Sequence, residues 1–229
     1  MGRLATGIFV DTGGSAQIEN NTITTDTSYN ITGTQSGTGI NVDNGGKAFI
    51  RNNVISQYQK TGVRINGLGT VGILIGNNIV GVGPTDTIPQ NGIQISRRAS
   101  ALVEENTVSE NLYTGDTWFS CGILLTISPS PVTVQRNISS NNDTGIALGI
   151  EVTDALVQEN TFSYNTNYGI WVYSTSINNK FINDTSQNNR ILDVTDSSSG
   201  TGTGDTGNTY LCEICITDNV DGDICRPSQ

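Results

Sequence analysis

Ile18-Glu19-Asn20-Asn21-Thr22-Ile23 returns as Ile50-Arg51-Asn52-Asn53-Val54-Ile55. Further copies are Ile75-Gly76-Asn77-Asn78-Ile79-Val80, Val103-Glu104-Glu105-Asn106-Thr107-Val108 and Val157-Gln158-Glu159-Asn160-Thr161-Phe162, with a shorter one in Val134-Gln135-Arg136-Asn137-Ile138. A second phrase, Gly-Ile-x-Ile or close to it, alternates with the first: Gly7-Ile8-Phe9-Val10, Gly39-Ile40-Asn41-Val42, Gly62-Val63-Arg64-Ile65, Gly92-Ile93-Gln94-Ile95, Gly122-Ile123-Leu124-Leu125, Gly145-Ile146-Ala147-Leu148 and Gly169-Ile170-Trp171-Val172. Two of the glycine spacings are 23 residues and one is 24. The longer gaps read as the same unit with a loop inserted. A repeat of this size sets the architecture before any single residue does.

Each unit holds short apolar alternations of period two, which signal strands. The first strand points residues such as Ile93 and Ile95 inward. The second is expected to point in Ala48 and Ile50, Ile73 and Ile75, Ala101 and Val103, Val132 and Val134, and Ala155 and Val157. The third is shorter, carrying Ile23, Ile55, Val80, Val108 or Phe162 two places after an Asn. No segment keeps a helical period, so the parallel strands must connect through loops. One unit cannot bury its own apolar face, but stacked units can. The expectation is an all-β parallel solenoid of about eight turns over residues 1–210, closed by a cysteine-bearing tail at 211–229.

The Asn that follows the second strand recurs at Asn21, Asn53, Asn78, Asn106, Asn137 and Asn160, and Asn179 and Asn208 are expected to continue the row. Asn tolerates a left-handed backbone and bonds its own turn. Stacked at one strand spacing, ~4.8 Å, its amide can also bond the next amide up and down. An internal ladder is therefore the expectation for this row, rather than a binding strip.

On these Gly-Ile-x-Ile and Asn-x-Ile phrases, spanning residues 7 to about 210, the chain resembles the right-handed parallel β-helix superfamily with pectate-lyase-type repeats, which includes periplasmic copper-protein and carbohydrate-associated repeat domains. That resemblance implies a fold. It implies little about function, because the group holds lyases, hydrolases, epimerases, phage tailspikes and non-catalytic surface proteins.

The chain has 229 residues and a formal net charge of −10. Such an acidic chain is a poor nucleic-acid binder; anionic membranes are disfavoured too, and so are polyanionic glycans unless calcium bridges the charges. No apolar run is long enough to span a membrane. No signal peptide precedes the first strand, which suggests a fragment or a chain end that leans on another molecule. Of the four cysteines, Cys121, Cys212, Cys215 and Cys225, three crowd the C-terminus. A disulfide Cys215–Cys225 or Cys212–Cys225 would staple the last turn and favours an extracellular or cell-surface location. Reduced thiols, or a zinc site built on Cys212-x-x-Cys215, are the alternatives. Asp218 to Asp223 resembles a calcium loop in composition but lacks its alternating spacing. The expectation is therefore an acidic turn, and no cofactor.

The chain contains no histidine, which removes the commonest general base and metal ligand. The His-bearing motifs of polygalacturonase-like and epimerase-like β-helix enzymes are missing. So is the pairing of acidic residues with an Arg or Lys base that pectate-lyase-like sites would imply. Glu105, Arg136 and Glu159 each precede a ladder Asn in consecutive turns, and should stack as a column. Two turns apart, Glu105 and Glu159 would lie roughly 9.6 Å apart at Cα, compatible with an inverting glycosidase pair. An Arg wedged between them would keep both ionised, against the need for a protonated acid.

Two surface features remain. Outward positions on the second strand read Gln17, Phe49, Leu74, Leu102, Thr133 and Leu156. This apolar row is expected to be covered by loops, by another copy or by another surface protein. The inserted loops would carry recognition on a rigid scaffold, and their aromatics cluster: Tyr113, Asp116, Trp118 and Phe119 in one, Tyr164 and Tyr168 in another, with Trp171 and Tyr173 following. Rings beside carboxylates and amides suit the apolar C–H faces of a neutral sugar chain, although the same rings could serve only to cover the apolar row. The leading expectation is a non-enzymatic secreted or surface scaffold that self-assembles or binds neutral glycan. The alternative is a polysaccharide-degrading enzyme with carboxylates in a loop-lined groove.

Overall fold

The computed structural model describes residues 6–24, 31–116, 118–128 and 131–225. All strand pairing in it is parallel, and no α-helix is present among the described residues. Three sheets wrap one core. The first stacks eight strands, from Ile8–Val10 through Thr38–Val42, Thr61–Asn66, Asn91–Ser96, Cys121–Thr126, Thr144–Leu148 and Tyr168–Val172 to Leu192–Asp196. The second stacks eight more, from Ser15–Glu19 to Thr209–Leu211, and the third stacks five, from Thr22–Thr24 to Ile138–Ser139. Isolated bridges from Thr185 to Ile214 and from Val194 to Asp218 carry the pairing further along the chain.

The Gly-Ile-x-Ile phrase has a steric basis. A Cβ built on Gly39 would stand 2.6 Å from the carbonyl oxygen of Gly62, and one on Gly62 would stand 2.6 Å from that of Gly92. The same clash repeats at 2.7 Å from Gly92 to Gly122 and from Gly145 to Gly169. Only a residue without a side chain allows adjacent coils to stack at this edge. The isoleucines beside these glycines, Ile40, Ile93, Ile123, Ile146 and Ile170, are fully buried. In-register pairing places them one above another.

The corner between the second and third sheets has a fixed device. One residue adopts a left-handed backbone and the next presents its amide inward. The left-handed residues are Asn20, Asn52, Gly76, Glu105, Arg136 and Glu159, with φ between 53° and 64°. The amides behind them form a chain in which Nδ2 donates to the next Oδ1: Asn21 to Asn53 at 3.1 Å, Asn53 to Asn77 at 3.0 Å, Asn77 to Asn106 at 2.8 Å, Asn106 to Asn137 at 3.0 Å and Asn137 to Asn160 at 2.9 Å. Each Oδ1 also accepts the backbone N–H of the coil before it, as in Asn106 N–H to Asn137 Oδ1 at 2.9 Å.

Three expectations are corrected here. The ladder rung of its coil is Asn77, not Asn78, which is an exposed strand residue pairing with Val54 and Thr107. The reason is Gly76: glycine takes the left-handed position at no steric cost, so the bend falls one residue earlier than the Asn-Asn pair suggests. The shift flips the preceding strand, as a one-residue slip must. Gly72 and Leu74 therefore face the core and Ile73 faces outward, so Leu74 is fully buried and leaves the outer row. Asn179 and Asn208 do not continue the ladder. They form their own stack at the entry to the second sheet, with Asn179 Nδ2 donating to Asn208 Oδ1 at 3.0 Å and Ala155 N–H to Asn179 Oδ1 at 3.0 Å. A further stack, Asn111, Asn142, Asn165 and Asn189, lines the corner between the third and first sheets.

Ladder spacings are 24 residues (Asn53 to Asn77) and 23 (Asn137 to Asn160), but 32 for Asn21 to Asn53 and 31 for Asn106 to Asn137. The surplus of these long coils falls between Thr24 and Thr38 and between Val108 and Cys121, ahead of the next strand of the first sheet. Both surpluses fall at the same edge, whereas the 197–208 segment lies between the first and second sheets. At the C-terminal end Cys215 is disulfide-bonded to Cys225, while Cys121 is buried and free and Cys212 is exposed and free.

The register is testable. Asn77→Ala would strip the acceptor from the N–H and Nδ2 of Asn53, both buried, and should lower unfolding free energy by about 2–4 kcal/mol. Asn78→Ala should change it by less than about 0.5 kcal/mol. Urea unfolding of the two variants measures the contrast, and equal losses would contradict the register.

Candidate functional site

The outer face of the first sheet changes character along the stack. Its outward positions are Asn41, Arg64 and Gln94 in the early coils and Leu124, Ala147 and Trp171 in the later ones, aligned by register. Arg64 is spent on this face, donating Nε to Asn41 at 2.9 Å and pairing with Asp43 at 3.3 Å. Ala147, although it faces outward, is fully buried, so the later stretch is roofed.

Four aromatic residues meet there. Phe119 stands edge-on to Trp171, with centroids 5.1 Å apart, and to Tyr168 at 6.4 Å. Tyr173 lies 5.7 Å from Trp171 at a tilt of 53°. Such edge-to-face pairs add about 0.5–1.5 kcal/mol each beyond area burial. Trp118 is 72% exposed next to this group in sequence, and Tyr173 is 40% exposed at its margin. Asp116 is exposed on the same loop. Tyr113 is half-buried at the end of its strand, and Tyr164 is exposed in a left-handed turn; among the described residues neither ring packs on the other four.

The residue that organises this surface was not singled out from sequence. Asp143 is buried at the corner between the third and first sheets. Its Oδ2 accepts the N–H groups of Tyr113 at 2.9 Å and of Ser120 at 2.8 Å, the two ends of the aromatic loop. Its Oδ1 accepts the Thr166 hydroxyl at 2.9 Å, and its carbonyl accepts the N–H groups of Asn167 and Tyr168. One carboxylate therefore pins both aromatic loops to one coil. Burial raises its pKa above the ordinary carboxylate value, and its three hydrogen bonds offset part of that rise. No sequence motif announces this role, because its partners lie 23 to 30 residues away.

The family model for the right-handed β-helix region matches residues 6–186. The chain belongs to the right-handed β-helix family. Neither the curated proteins nor the solved structures contain a match to it.

Within this β-helix the acidic column has the composition expected of it, plus one member. Arg136 pairs through Nε with Glu105 at 3.3 Å, through Nη1 with Glu159 at 3.9 Å, and through Nη2 with Glu104. Glu104 also accepts from Gln135, which in turn accepts from Gln158. Glu105, Arg136 and Glu159 all hold left-handed bends. Both carboxylates are engaged by one guanidinium, which suits an ion-pair column better than a general acid. Next to it, the outer row of the second sheet reads Phe49, Ile73, Leu102, Thr133 and Leu156 in register, all half-buried or exposed. Among the described residues no group of three or more His, Cys, Asp or Glu side chains is placed to hold a metal ion.

The role of Asp143 predicts a separation of effects. Asp143→Ala removes three hydrogen bonds to a buried carboxylate and should cost about 2–4 kcal/mol. Protease cleavage should appear first within 114–119. A uniform loss of stability without selective cleavage there would show that the carboxylate does not hold the loop.

Proposed function

We propose that this β-helix is a non-enzymatic scaffold that binds a neutral glycan on the aromatic platform formed by Phe119, Tyr168, Trp171 and Tyr173, with Trp118 and Asp116 at its rim. The observation that carries this reading is the joining of rings from two separate coils on the outside of a rigid sheet, with their loops tied to the same buried carboxylate. Aromatic rings held partly exposed by the backbone offer flat apolar faces, which stack on sugar C–H surfaces. Asp116 and the amides of the neighbouring loops can accept or donate to hydroxyl groups. The net charge of −10 disfavours acidic polysaccharides and leaves neutral ones.

Catalysis is the weaker reading, for the Glu105 and Glu159 carboxylates share a guanidinium and the chain has no histidine. Location outside the cell follows the same reading, supported by the Cys215–Cys225 disulfide. Self-assembly through the outer row of the second sheet is the other outcome open to test.

Affinity electrophoresis against neutral polysaccharides, read together with a reducing-end assay, tests the proposal. Retardation without new reducing ends is expected. Trp118→Ala and Tyr173→Ala, at exposed positions, should each weaken binding about tenfold, as loss of 1–2 kcal/mol of stacking implies. New reducing ends would make the protein an enzyme. No retardation, with concentration-dependent sedimentation, would favour assembly instead.

A further inference from the structure

The amide ladder changes chemistry at its C-terminal end. A regular rung accepts on Oδ1 and donates from Nδ2, both to the next rung and to a backbone carbonyl of an earlier coil. Asn106 donates to Leu74 O at 3.0 Å, Asn137 to Val103 O at 2.9 Å and Asn160 to Val134 O at 3.0 Å. The rung after Asn160 is Asp184. Its Oδ1 performs the accepting half in full, taking the N–H and the Nδ2 of Asn160, each at 2.8 Å. The left-handed residue before it, Asn183, keeps the corner geometry, with φ 55°.

The donating half is missing. Asp184 Oδ2 stands in for the NH2 of a regular rung and has no hydrogen-bond partner. The next rung is Glu213, which follows left-handed Cys212 and accepts the N–H of Asp184 on Oε1 at 3.4 Å. Its Oε2 is unpartnered as well. Asp184 is 0% and Glu213 3% exposed. An ionised carboxylate can only accept, so an anion at Asp184 would turn an acceptor toward a rung that already presents acceptors. A buried polar group left in that state costs several times an ordinary hydrogen bond.

We infer that Asp184 and Glu213 share a proton that takes the place of the missing amide hydrogen, and that its loss at alkaline pH opens the C-terminal coil. The surroundings agree. Burial is the main cause raising both carboxyls above the ordinary range; the Glu159 charge raises Asp184 further, and Asp184 raises Glu213. The titratable groups facing the pair are Glu159 from the preceding coil and Tyr210, whose hydroxyl donates to Asp196 Oδ2 at 2.8 Å. The nearby cations do not compensate: Lys180 is exposed on the outer side of its strand, Arg136 is held by its own three glutamates, and no lysine or arginine among the described residues pairs with Asp184 or Glu213.

The direction follows from linkage. The folded state holds the proton more tightly than the unfolded chain, whose carboxyls titrate near ~4. The stabilisation is complete below that value and is lost as pH rises through the elevated folded pKa. One linked proton changes the opening equilibrium by up to about tenfold per pH unit across that window.

Hydrogen exchange of the Thr209–Cys225 amides in the full chain, corrected for intrinsic base catalysis and followed from about pH 5 to about pH 9, reads this opening. The wild-type opening constant should climb with pH, by up to about tenfold per unit. Asp184→Asn supplies an amide at every pH. It should flatten the profile and give slower exchange than wild type at the alkaline end. Should that variant fold poorly, Glu213→Gln should also reduce the slope. Infrared difference spectra between wild type and either variant should show the carbonyl band of a protonated carboxyl near neutral pH. Parallel pH profiles for wild type and both variants, or no such band, would overturn the inference. Restoration of alkaline protection by calcium or sodium would do so too, since a cation would then occupy the place assigned to the proton.

Discussion

The whole architecture depends on how the chain leaves its second sheet. A backbone turning a corner inside a protein exposes N–H groups that the strands no longer satisfy, and burying them unpaired is costly. Here one residue bends into the left-handed region and the next turns an amide inward. That amide takes two donors from one neighbour and gives donors to another, so a single side chain satisfies both its own coil and the adjacent one. Because each rung needs its neighbours, coils are locked in register. The register in turn decides which side chains face the core and which face solvent.

That locking is what makes an outward platform meaningful. Trp171 keeps its place because Ile170 and Val172 on either side are fully buried. Phe119 reaches it from a loop whose two ends are anchored on a coil that neither residue belongs to. Surfaces built this way are already ordered, so a ligand docking on one would lose less of the interaction to entropy. The cost is a buried carboxylate at Asp143, offset by the donors that surround it.

Much of this was legible in the sequence, and the exceptions have physical causes. Period-two alternation and the repeated glycine phrase identify parallel stacked strands, since the glycine is required by the carbonyl above it. The Asn-Asn pair at 77–78 is ambiguous, because either residue could be the rung. The deciding signal was Gly76, the residue best suited to the left-handed bend, and reading it would also have placed Leu74 in the core. Asn183-Asp184-Thr185 copies Asn20-Asn21-Thr22 with one amide replaced by a carboxyl, so the true continuation of the ladder was visible to a pattern that tolerated the exchange. Asn179 and Asn208 looked equivalent only because a second corner uses the same side chain for the same purpose. Asp143 could not be found this way: its significance lies in three partners brought close only by coiling.

The uneven spacing of the rungs has an evolutionary corollary. Coils of 23 and 32 residues meet the same neighbours through the same side chains, so length is free to vary wherever the backbone swings out between the third sheet and the first. A lineage of such proteins can therefore acquire, enlarge or discard surface segments on that edge while its interior stays unaltered, and can gain height by duplicating one complete winding. Diversity would accumulate as a crest along one side of an otherwise conservative column.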